Sequence, residues 1–240
     1  MIYQTTGQSM SATLRRFRIH LFSFAPGRLA SHKNLMPCVI IGDDGGITVR
    51  NGEDSVIANA LCIKPNCEHS LVIKGAGAEI VFLDGLTMRE DAFDFFALDS
   101  SWLDLPNAIR EKDYAAIDGL ADTLRGKPIV PDPEIMDIVD EIYASSIKRL
   151  SQFDLAERLN LERTRALRRF KNCTGQTFRK FKIWSASVNA VRDIHRGERI
   201  GDAGIDYGFS DASHVARTAN SIFGLTPSEG IKGLRGIISV

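Results

Sequence analysis

GFSDASHVARTANSIFGLTPSE, Gly208–Glu229, is the stretch whose reading decides the fold of this 240-residue chain. Gly208 supplies a turn, because glycine adopts positive φ without a steric penalty. Ser210 or Asp211 caps the helix that follows, Ala212 to Phe223, and Gly224 ends it. That helix presents Ser213, His214 and Arg217. A second stretch, LSQFDLAERLNLERTRALRRFK (Leu150–Lys171), has the same grammar. Ser151 with Asp154 approximates a capping box. Leu155, Ala156 and Leu159 form the apolar face of a short helix, and Asn160 takes a turn where φ is often positive. Glu162 to Lys171 is then a second helix, with the small Ala156 at the crossing. Two short helices joined by a tight turn make a helix-turn-helix. The second helix offers Arg163, Thr164, Arg165 and Arg168, and an arginine fork suits guanine O6 and N7 in the major groove.

The two stretches are copies of one unit. Arg168 precedes Gly175 by seven residues, Arg217 precedes Gly224 by seven, and the copies lie 49 residues apart. A repeat that recurs only twice is a duplicated small unit, not a solenoid. A long helix, about Phe178 to Arg196, lies between them and can hold both recognition helices on one face, roughly one DNA turn (~34 Å) apart.

Gly208-Phe209-Ser210-Asp211, Ser213, Arg217 and the run Phe223 to Glu229 together resemble the signature of AraC/XylS-type transcription regulators. Arg168, Phe170, Lys171, Gly175, Phe178, Phe181 and Ala190 fall at matching offsets, and the resemblance spans about Ser146 to Gly236. It implies that Arg168 and Arg217 contact bases or phosphates. It also places Thr164, Leu167, Ala212 and Ser213 at other groove-facing positions. Double-stranded promoter DNA is the implied partner, with activation through RNA polymerase, a homodimer and a small-molecule effector as further implications. The chain departs from the pattern where Ala219 replaces a large aromatic, Asn220 a basic residue and Ala186 a frequent arginine. Its first unit has Glu162-Arg163 in place of the common Ser-Pro start.

Net charge is zero overall, but the charges are segregated. Residues 1–145 carry 13 Lys+Arg against 21 Asp+Glu; residues 146–240 carry 17 against 9. One end alone is suited to a polyanion. Lys171, Arg179, Lys180 and Lys182 are candidates for salt-dependent phosphate contacts. The cysteines Cys38, Cys62, Cys67 and Cys173 form no Cys-x-x-Cys pair, which suits reduced thiols, with Cys62 and Cys67 as buried small residues. No apolar run reaches the ~20 residues of a membrane span. Met1 to Met10 is polar and lacks a signal core, so the chain reads as cytoplasmic.

The first part reads as β. Strands are expected over Phe17–Phe24, Cys38–Ile41, Ile47–Val49, Val56–Ala58, Leu61–Ile63, Leu71–Ile73 and Ile80–Leu83, separated by turns such as Asn51-Gly52 and Gly75-Ala76-Gly77. Short strands at this spacing predict a small barrel or sandwich. Helices are expected over Pro106–Leu124 and Glu134–Leu150, with a proline-rich linker over Pro128–Pro133. From Ser151 onward the whole chain reads as helical. The expected fold is α+β: residues 1–127 a cupin-like β-barrel plus helix for sensing or dimerisation, 128–145 a linker and the start of a connecting helix, 146–240 the all-α DNA-binding domain. The barrel assignment resembles the cupin-type domain that many such regulators carry, through His32 and the run Pro65-Asn66-Cys67-Glu68-His69. His32 and His69 are the candidate effector contacts.

Two rival readings use the same residues. A metal-dependent cupin enzyme needs about three convergent His/Glu ligands; only one His of the usual His-x-His is present, so no metal or other cofactor is assigned. An adaptor working through protein contacts is suggested by the small Ala212, Ala216 and Ala219. No nucleophile–base arrangement supports hydrolysis, and no catalytic residue is assigned.

Overall fold

The computed structural model describes residues 18–43, 46–126, 132–144 and 150–240. Phe17, most of the Pro128–Pro133 linker and Ile147 lie outside them. In chain order the elements are β1 (Ile19–Phe24), β2 (Gly27–Lys33), β3 (Cys38–Gly42), β4 (Ile47–Asn51), β5 (Asp54–Ala58), β6 (Ala60–Ile63), β7 (Glu68–Ile73), β8 (Ala78–Leu83) and β9 (Phe95–Ala97). A 3₁₀ turn over Ser100–Asp104 leads into α1 (Leu105–Glu111), α2 (Tyr114–Leu124) and α3 (Pro133–Ala144). The C-terminal part is α4 (Gln152–Arg158), α5 (Arg163–Thr174), α6 (Phe178–His195), α7 (Ile200–Asp206), α8 (Ala212–Phe223), α9 (Pro227–Gly233) and a final strand, β10 (Leu234–Ser239).

The β part is two antiparallel sheets that are not closed into one ring. One runs β10-β1-β8-β3-β6-β9, the other β2-β7-β4-β5. Burial explains their different sequence texture. The first sheet is covered on both faces, by the second sheet and by a layer built from Trp102, Leu105, Ile109, Ile117 and Leu124, so β3 and β6 are continuous apolar runs. The second sheet is covered on one face, and β7 alternates buried with more exposed residues.

Three differences from the sequence expectation have physical causes. β2 was not expected: only Leu29 and His32 of its seven residues are buried, too weak an alternation to read. The single helix expected over Pro106–Leu124 is two, because Lys112 takes a left-handed φ of 58° and the Asp113 side chain caps α2 by accepting from the Ala116 amide. The chain does not stay helical to its end. β10 returns to pair with β1, from His20 opposite Ser239 to Phe24 opposite Leu234, and covers what would otherwise be an open sheet edge.

One buried carboxylate ties the β part to the helices. Asp84, at the end of β8 and fully buried, accepts from Trp184 Nε1 of α6 with both oxygens at 2.9 Å and from the Tyr143 hydroxyl of α3. His20 Nε2 of β1 lies 3.4 Å away. No described helix is long and apolar enough to cross a membrane.

Candidate nucleic-acid interface

The first unit is built from local capping chemistry. Ser151 and Asp154 form a reciprocal capping box at the start of α4, with bonds of 3.1 and 2.7 Å. Asn160 turns the chain at φ 47°. Glu162 caps α5, its carboxylate accepting from the amides of Thr164 (2.8 Å) and Arg165 (3.3 Å); those amides hold its pKa below the usual carboxylate range. Ala166, Phe170 and Cys173 turn into the core. Arg163, Thr164, Arg165, Arg168 and Lys171 stand exposed on the other side. Leu167 is half-buried against the core. Arg169 faces away from that surface and pairs with Asp132 and Glu134, at 2.6 Å in each case, which fixes α5 to the start of α3.

The second unit repeats the geometry with different chemistry. Gly204 lets α7 approach α8; a Cβ there would stand 2.3 Å from Val215 Cγ2. Gly208 takes the turn at φ 86°, and Asp211 caps α8 by accepting from the His214 amide at 2.7 Å. Ala212, Ser213 and Arg217 are exposed. His214 is half-buried, its ring against Phe209 and its Nδ1 3.3 Å from Ser210 Oγ. Arg217 is the sole Lys or Arg of α8, whereas α5 has five.

Two of the candidate lysines are engaged within the fold. Lys180 donates to Asn66 of the β part. Lys182 donates to the Leu150 carbonyl and lies 5.0 Å from the Phe178 ring centre; burial lowers its pKa. Phe153, 71% exposed on α4 with the Arg163 guanidinium 5.7 Å above its ring, extends the first unit's surface. It was missed from sequence; the signal is an aromatic at the second position of a polar helix start.

His32 and His69 are brought together, with ring centres 4.2 Å apart. Their Nδ1 atoms meet the carbonyls of Ala30 (2.8 Å) and Cys67 (3.0 Å). Among the described residues, no cluster of three His, Cys, Asp or Glu could hold a metal ion.

Residues 155–232 match the sequence model of a family described as "Helix-turn-helix domain", and the residues that carry the match are the duplicated unit just described. Residues 155–232 thus form a helix-turn-helix domain of the AraC/XylS type. The two-domain architecture is shared with ToxT from Vibrio cholerae. One crystal structure of ToxT superposes with a TM-score of 0.60 at 12% identity, covering 91% of this chain and 98% of that one. Wild-type ToxT from strain SCE256, bound to an unsaturated fatty acid, gives 0.58 at 14%, covering 91% and 95%. At these identities the likeness is one of fold. No curated protein matches the chain in sequence.

Proposed function

We propose that this AraC/XylS-type chain is a sequence-specific transcription regulator, an activator, whose α5 and α8 enter two successive major grooves of promoter DNA. The observation that carries the reading is the pairing of two capped recognition helices on either side of α6, each with its polar residues exposed and its apolar residues in the core. Arg163, Arg165 and Arg168 of α5 supply base and phosphate contacts; Ser213 and Arg217 supply those of α8. The resemblance to AraC/XylS-type regulators supports homodimerisation and contact with RNA polymerase as part of this reading. The β part, joined to α8 and α6, is the sensing domain, and an effector acting there would be read out as DNA affinity.

The test is selection of random duplexes on the full chain, followed by affinity for the selected site and a scrambled one at two salt concentrations. A motif spanning two successive grooves is expected. Arg168→Ala and Arg217→Ala should each weaken the selected site by about 1–3 kcal/mol, roughly 5- to 150-fold, and leave the scrambled duplex much less affected. Equal, weak binding to both duplexes would reject the reading.

A further inference from the structure

The first unit carries a pair of exposed side chains that the second unit lacks. Phe153, the second residue of α4, is 71% exposed, and the guanidinium of Arg163, the first residue of α5, lies 5.7 Å from its ring centre. Counted along the 49-residue repeat, the two correspond to Asp202 and Ala212, which are exposed but supply neither a ring nor a cation. Arg163 also stands where the AraC/XylS pattern commonly has the proline of Ser-Pro. The pair is thus a feature of this chain's own sequence, common neither to its second unit nor to that pattern.

Interactions within the fold give Arg163 little reason to be charged. The N-terminal end of a helix carries partial positive charge, which disfavours a cation at its first position. The neighbouring Glu162 carboxylate is taken by the amides of Thr164 and Arg165. Among the described residues Arg163 makes no hydrogen bond and no ion pair. Arg169 is the contrast on the same helix, its fork spent on Asp132 and Glu134. A ring face acts differently from a carboxylate. It attracts a guanidinium within about 6 Å of its centre and takes none of the N–H donors. Phe153 therefore restrains Arg163 and leaves its fork free. Residues at the N-terminal end of a recognition helix are the ones that reach base edges, and a free arginine fork matches guanine O6 and N7.

We propose that Arg163 is a specificity-determining residue that reads a guanine at one end of the first unit's site, and that Phe153 is the positioning residue that holds it there. Holding the long side chain before DNA arrives removes part of the ordering cost of binding. The proposal rests on the regulator reading above and adds to it a base that the second unit has no means to read in the same way.

The experiment selects random duplexes on the full chain and on its Arg163→Ala, Phe153→Ala, Phe153→Leu and Phe153→Tyr variants, then measures affinity for the parent's selected site and a scrambled one. Both residues are exposed, and unfolding midpoints close to the parent's confirm that the variants fold. Arg163→Ala is expected to lose the guanine preference at one position only and to weaken the selected site roughly 5- to 150-fold. Phe153→Ala should weaken it by about two- to fivefold and relax the same position. Phe153→Leu, which keeps apolar bulk without the ring, should match Phe153→Ala, while Phe153→Tyr should match the parent. In the Arg163→Ala background, Phe153→Ala should have no further effect. Four results overturn the proposal: Phe153→Leu behaving as the parent, a Phe153 effect that persists without Arg163, a Phe153→Ala motif unchanged at the position that Arg163→Ala relaxes, or an Arg163→Ala loss that is equal on both duplexes and marks a phosphate contact. If the parent selects no motif at all, the regulator reading fails and takes this proposal with it; a parent motif indifferent to Phe153 sinks this proposal alone.

Discussion

The two helix-turn-helix units share a backbone plan and differ in what surrounds it. The first turns Arg163, Arg165, Arg168 and Lys171 outward and is braced from behind by Arg169 on Asp132 and Glu134. The second offers Arg217 alone, and α8 ends against β2 of the β part. Positive charge is concentrated on α5, while α8 ends in direct contact with β2. Both units hang on α6, and α6 hangs on Asp84.

Removing that shared support has the largest expected effect. Asp84→Ala leaves the Trp184 indole and Tyr143 hydroxyl buried without their acceptor, and urea unfolding should show a loss of about 3–5 kcal/mol. Loss below about 1 kcal/mol would mean that the units are held to the β part by β10 and apolar packing instead.

Acid should separate the units next. His32 is lowered from 6.5 to about 4 in the fold, first by burial. The unfolded chain takes up this proton near pH 6.5 and the folded one only near 4. The stability is thus fully present above pH 6.5 and is lost as pH falls through about 4, roughly 3 kcal/mol in all. His69, lowered by the same cause, adds to the same limb. Stability curves of His32→Gln should be flatter than those of the parent between pH 6.5 and 4. Because His32 sits under the end of α8, hydrogen exchange should open α8 before α5 as the acid limit is approached. Simultaneous opening would show that the two units do not differ in their attachment.

Gly224→Ala attacks the same joint at smaller cost. The residue has φ 67°, and the new methyl meets the Ala30 oxygen and His32. About 1–3 kcal/mol should be lost. DNA affinity should change through α8, and the loss caused by Arg168→Ala should stay the same in both backgrounds. Dependence of the Arg168 effect on Gly224 would unite the two units into one body.

How much of this was legible in the sequence follows from how local each feature is. The Ser151–Asp154 box, the Asn160 turn, the Gly208 turn and the α8 cap depend on neighbours within a few residues, and each was read correctly. β10 was not, because its partner is remote: Ser239 meets His20 across 219 residues, and a short Ile237-Ile238 run does not name a partner. β2 failed because its buried residues are few and one of them is a histidine. Ala219 was visible as a departure from the family pattern. Its surroundings were not, since the cavity it lines also takes residues from β1, β8 and α6. Nor did sequence distinguish lysines facing solvent from those spent inside the fold.

That last distinction gives the smallest effect and the sharpest test of where the charged surface stops. Each phosphate contact formed, with release of its counterion, steepens the dependence of affinity on salt by close to one in the log–log slope. Lys171 is exposed beside Arg168, so Lys171→Ala should reduce the slope by about 1. Lys180 stands on the next helix with its amine donated to Asn66 of the β part, so Lys180→Ala should leave the slope near that of the parent. If Lys180→Ala flattens the slope as much as Lys171→Ala, the Asn66 bond is exchanged for a phosphate when DNA arrives. The first unit would then have to release its own tie to the β part in order to bind, and the contrast between a free first unit and a second unit held against β2 would give way to two units both tied to the β part.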